Sequence, residues 1–116
     1  MRVLPSQANV CKRYGVEPQS PMVQDRLGIA LATLQTQPIN GLRIPAMSGS
    51  SGWFIFGGIE AGNEADFYSP LCIAHIHKYC DIVVPNLCLP AGWRFQIDVN
   101  GYEDVWYDPR LMSFKD

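Results

Sequence analysis

Residues 93–99 read WRFQIDV, and Asn100-Gly101 follows. Strict alternation sends Trp93, Phe95, Ile97 and Val99 to one side of an extended chain, and Arg94, Gln96 and Asp98 to the other. Asn-Gly after such a run is a strong two-residue turn signal, and residues 102–107 (YEDVWY) read as the return strand. An antiparallel hairpin is therefore the firmest constraint on the fold. With a two-residue turn, Val99 pairs with Tyr102, Ile97 with Asp104 and Phe95 with Trp106. That register puts Asp104 on the apolar face and Asp98 opposite Glu103, and both placements are locally unfavourable. Either the loop is longer and the register differs, or Asp104 is a buried carboxylate with a cationic partner. Arg94 and Arg43 are the candidates for that partner.

More of a sheet can be read upstream. In residues 52–58 (GWFIFGG), Trp53 and Ile55 point one way and Phe54 and Phe56 the other. Two apolar faces make this a central strand covered twice. Residues 27–31 and 41–45 supply two further strands, the second bounded by Asn40-Gly41 and Pro45. Residues 1–25 hold Pro5, Gly15, Pro18 and Pro21, so they read as an irregular arm with at most one short helix near residues 7–14.

The stretch LCIAHIHKYC at 71–80 packs two cysteines and two histidines into ten residues. Ser69-Pro70 before it has the form of a helix start. At about 100° per residue, Cys72, Ile73, Ile76, Tyr79, Cys80 and Val83 fall within a wedge of roughly 120°, as in an amphipathic helix lying on a sheet. On that helix Cys72 and Cys80 are about 12 Å apart along the axis, and His75 and His77 point roughly 160° apart, too divergent for one ion with ~2.3 Å ligand bonds. The cysteines read as small core residues and no metal is expected.

Charge is unevenly spread over the 116 residues, whose net charge is −2. Residues 1–58 carry five basic and two acidic side chains, residues 59–116 four basic and nine acidic, so the halves are +3 and −5. Nothing in this invites nucleic acid, whereas an acidic half can meet a basic protein. No stretch has the length or apolarity of a signal peptide or a membrane span, so a cytoplasmic chain with reduced cysteines and no membrane association is expected. Catalytic signatures are missing: GSSGW around Ser51 lacks the second glycine of a nucleophile elbow, and there is no phosphate loop or dinucleotide fingerprint. Glu103 and Asp104 are strand neighbours facing opposite ways, so they do not form an acid–base pair. A Cys72–His75 dyad inside a helix would lack an oxyanion hole. No enzyme activity and no cofactor are expected.

Several uncommon motifs occur in order: PINGLRIP, GWFIF, an acidic loop, DFYSPL, LPAGWRF and GYEDVWYD. Together, over roughly residues 28–112, they resemble a group of small bacterial proteins related to the thirty-third polymorphic-toxin immunity family. The chain departs from their pattern at Gly58-Ile59-Glu60, where relatives carry two acids, and at AHIHKYC. The resemblance implies a bacterial cytoplasmic protein that occludes a cognate toxin or secreted effector by direct contact, without catalysis.

The resulting expectation is one α+β domain over 1–116, with an arm (1–25) and a core (26–116). The core is an antiparallel sheet of four to five strands with one main helix, 70–80, packed on a face. Partner contacts are expected from Glu60, Glu64 and Asp66 of the acidic loop and from Glu103 and Asp108, with Phe67, Tyr68 or Tyr107 as aromatic anchors. The alternative is a small-ligand or enzymatic pocket between helix and sheet around His75, Arg94 and Asp104. A homodimer covering the central aromatic strand is a third arrangement to be weighed.

Overall fold

The computed structural model describes residues 2–114; residues 1, 115 and 116, the outer ends of the arm and core, lie outside the described residues. Six strands form one sheet: β1 (Arg26–Ile29), β2 (Ile39–Arg43), β3 (Ser50–Gly57), β4 (Ser69–Cys72), β5 (Trp93–Ile97) and β6 (Glu103–Tyr107), in the order β4-β1-β3-β2-β5-β6. Neighbours run antiparallel except β1 and β3, which are parallel. The α+β class holds, but the sheet is mixed and has six strands rather than four to five.

The extra strand comes from the segment expected to be the main helix. Ser69-Pro70 is not a helix start but lies in edge strand β4, where Pro70 sits opposite Gly28. An edge tolerates a residue with no N–H to donate. Beyond Cys72 the chain makes two 3-10 helices, Ile73–Lys78 and Asp81–Asn86, broken at Cys80, whose φ is −157° and ψ 74°. β-Branched Ile73, Ile76, Ile82, Val83 and Val84, with Pro85, oppose a regular α-helix. Ile73, Ile76, Cys80 and Val83 are still buried, because the break at Cys80 resets the three-residue period. Tyr79 is exposed and Cys72 half-buried, contrary to the helical stripe.

The one α-helix among the described residues, α1 (Pro5–Arg13), lies in the arm. Pro5 opens it, and the fully buried Gln7 fastens both its ends of contact: its carbonyl accepts from Leu4 N–H (2.9 Å) and its amide donates to Val84 O (3.0 Å). Val10 and Cys11 reach the core beside Trp53, Ile55, Phe95 and Leu87. Thus α1 and the two 3-10 helices cover one face of the sheet.

The β5–β6 register departs from the two-residue turn. Ile97 pairs with Glu103, Phe95 with Val105 and Trp93 with Tyr107, leaving residues 98–102 as a longer loop. The Asp98 carboxylate accepts from Asn100 N–H (2.8 Å) and Tyr102 N–H (3.0 Å), which organises that loop. A shift of one residue turns every side chain over. Val105 therefore faces the core, and Asp104 lies exposed beside Gln96 on the other face with no call on Arg94 or Arg43.

Central strand β3 is placed as the aromatic pattern requires. Trp53 and Ile55 are fully buried on the covered face, while Phe54 and Phe56 point to the other. Two steps along β1 (Arg26 to Gly28) match four along β3 (Ser50 to Phe54), a bulge. Gly52 makes it, at φ +86°, and a Cβ there would run into the Ile44 carbonyl oxygen, so no side chain fits.

Candidate functional site

The second sheet face is only partly covered, and it holds a concavity. A groove of about 520 Å³ runs over β2, β3 and β5. Leu42 and Phe54 form its floor, Ile44, Leu111 and Phe114 one wall, and Tyr68 an end. Its polar side is a cluster. Asp108 caps the Pro109–Ser113 3-10 helix by accepting from Arg110 N–H, and its carboxylate also takes Arg110 Nε and Nη2 (both 2.9 Å) and Arg94 Nη1 (3.2 Å). The Arg94 guanidinium lies 5.8 Å from the centre of the Trp106 ring. At 5% exposure Asp108 is nearly inaccessible, yet Arg110, then its backbone amide and Arg94, hold its carboxyl well below the usual carboxylate range.

The acidic residues separate into two kinds. Glu60, Glu64 and Asp66 are exposed in the β3–β4 connection, and among the described residues none of their carboxylates is paired. The root of this loop is fixed by Asn40, whose amide donates to Gly58 O (2.7 Å). Its far end is pinned by rings: Phe67 and Tyr68 pack edge-on at 4.8 Å, and Tyr68 stands 5.0 Å from Phe54. Glu103, by contrast, turns to the covered face and accepts from Arg13 (2.9 Å) and the Tyr14 hydroxyl (2.6 Å), clamping α1 to β6. Those bonds, Tyr14's first, lower its pKa. Tyr107 lies on the same face against Trp93, with ring centres 6.0 Å apart.

The structure thus brings Tyr68 and Asp108 together at the groove and leaves Glu103 and Tyr107 behind the sheet. The pocket expected around His75, Arg94 and Asp104 does not form. Arg94 lines the groove, Asp104 is exposed on edge strand β6, and His75 is exposed on a 3-10 helix across the sheet, where the core fills the intervening layer. Among the described residues no three His, Cys, Asp or Glu side chains group to hold a metal ion. All four cysteines are free thiols, and burial raises the pKa of Cys11, Cys80 and Cys88. No helix among the described residues is long and apolar enough to cross a membrane.

A pH prediction follows from the two clamped carboxylates. Asp108 and Glu103 both titrate lower in the folded chain than in the unfolded one, so their contribution is complete above the unfolded values and disappears as the pH falls through the folded ones. The urea midpoint is expected to be level from about pH 7 to 5.5 and to drop below about pH 4.5. Asp108→Asn should flatten that acid limb; an equally steep limb in the variant would assign it to other groups.

The model of the Imm33-like domain matches residues 6–108. The chain belongs to the Imm33-like family. Comparison with curated proteins and with solved structures gives no match. The Imm33-like region begins within α1, so it takes in the arm as well as every strand, and it ends at Asp108. The acidic loop, Tyr68 and Arg94 lie within it; Arg110, Leu111 and Phe114, which complete the groove, lie beyond. Sequence reasoning missed Leu42, Ile44, Arg110, Leu111 and Phe114 as site residues. Asp108-Pro109 was the available signal, since Asp before Pro marks a helical start and hence a C-terminal turn folded over the sheet.

Proposed function

We propose that this Imm33-like protein is a bacterial, cytoplasmic immunity protein that binds a cognate toxin or secreted effector and neutralises it by direct contact, without catalysis. Family membership supports the general reading. The observation that carries the surface is the difference among the acids: Glu60, Glu64 and Asp66 stand exposed without internal cations, while Glu103 and Asp108 have theirs. Free carboxylates on a loop held firmly at both ends suit a basic patch on a protein partner, with Phe67 and Tyr68 as anchors. Glu103, Tyr107 and Asp108 act in this proposal as the supports of the surface.

The test is co-expression of the tagged chain with its gene neighbours, followed by affinity capture, mass spectrometry and a growth assay. One stoichiometric toxin-domain partner, and relief of the growth arrest it causes, are expected. Failure to relieve arrest by any neighbouring toxin would overturn the reading. In the recovered complex, Glu64→Lys with Asp66→Lys should slow association by about tenfold or more at low salt while dissociation changes little. Unaltered association kinetics would remove the acidic loop from the interface.

A further inference from the structure

We propose that the groove on the partly covered sheet face seats an apolar side chain of the protein partner, and that Arg94 and Arg110 take a carboxylate adjacent to it. The inference rests on the immunity reading for the existence of a partner and adds what that partner must carry.

The volume, about 520 Å³, is that of a site able to enclose apolar groups, and the floor and one wall are aliphatic and aromatic. The charge of the rim is opposite to that of the chain. Two guanidiniums stand against one carboxylate there, whereas the whole protein is −2. Nor are the donors used up. Arg94 gives one N–H, from Nη1, to Asp108, and its side chain is 25% exposed at the rim of the groove. Arg110 gives Nε and Nη2 to the same carboxylate from a side chain that is 81% exposed. Asp108, receiving from both arginines and a backbone amide, has little left to offer them, so a second carboxylate is the group that completes the pair.

The position matters as much as the charge. Tyr68 belongs both to the groove and to the end of the acidic loop. One face therefore runs from free carboxylates through rings and aliphatic side chains to guanidiniums. A uniformly basic partner surface would meet like charge at the arginine end, so the arrangement selects a partner with acid and base on either side of an apolar residue.

The test needs no toxin. Labelled protein is titrated with acetyl-Gly-Leu-Phe-Asp-Gly-amide and with its Asn counterpart, followed by NMR. Saturable shifts are expected at Leu42, Ile44, Phe54 and Leu111, with the Asp peptide bound about three- to tenfold more tightly than the Asn peptide. Arg110→Gln, a change at an exposed side chain, should abolish most of that preference. The proposal is overturned by no saturable shift up to about 5 mM, by equal affinities, or by shifts that map elsewhere. Light scattering that finds a dimer, with groove signals broadened before any peptide is added, would give the groove to a second copy and overturn it as well. Capture of a toxin whose affinity is unchanged by Leu42→Glu would overturn the groove alone, leaving the immunity reading intact.

Discussion

Replacing Arg43 with methionine is expected to lower the unfolding free energy by about 3–5 kcal/mol, a large part of what a domain of this size possesses. Arg43 is 2% exposed, and among the described residues it makes no salt bridge. Its Nε donates to Ser51 O (2.9 Å), and its Nη1 is shared by the carbonyls of Gln19 (2.6 Å), Leu89 (2.8 Å) and Leu87 (3.4 Å). Burial lowers its pKa to about 10, which still leaves a cation at neutral pH. One side chain thus joins the arm, the start of β3 and the segment before β5. Methionine keeps much of the stem but takes the donor away from the carbonyls of Ser51, Gln19 and Leu89, while Leu87 O keeps its bond from Trp53. Arg43→Lys should lose most of the same stability, because a single ammonium cannot reproduce the planar fork across three segments. A lysine variant as stable as the parent in urea unfolding would refute the bonding account.

The second large effect is expected at Trp53. Trp53→Ala should cost about 3–5 kcal/mol, combining lost transfer energy with the cavity left behind. The indole is fully buried, 5.4 Å from the Phe95 ring, with the Arg43 guanidinium 5.5 Å above it. Its Nε1–H donates to Leu87 O at 2.9 Å. Trp53→Phe retains a ring and loses the donor, so about 1–2 kcal/mol is expected there. The two sites share the Leu87 carbonyl and a ring contact, so combining Trp53→Ala with Arg43→Met should cost less than the two separately. Strict additivity in that cycle would mean that the sites are independent.

Strands with a period of two were readable from the residues. Alternation in 93–97 and the double apolar face of 53–56 place β5 and β3, because each position has one face to choose. The spacing of Ile73, Ile76, Cys80 and Val83 was ambiguous, since a single α-helix and two interrupted 3-10 helices bury the same four residues. Pro70 and Pro85 were the residues that decided it. The Asn100-Gly101 signal was outweighed by the Asp98 carboxylate, which binds two loop amides and moves the register by one. Arg43 shares the parity of Ile39 and Gly41 in β2, so its inward position was legible, but its carbonyl acceptors lie in distant segments. The groove was hidden for the same reason: its lining comes from β2, β3, β5, the β3–β4 connection and the C-terminal turn. The acidic loop, contiguous in the chain, was plain.

The position of β2 between β3 and β5 bears on how the chain leaves the ribosome. By the time residues 50–57 emerge, β2 can pair along one edge, while its other edge waits for residues 93–97. At about 5–20 residues per second, that edge stays open for several seconds of translation. Arg43 waits too, since two of its acceptors belong to Leu87 and Leu89. A nascent chain halted between the two hairpins would present a bare strand edge beside Trp53 and a cation without its carbonyls, an invitation to chaperones or to other stalled copies.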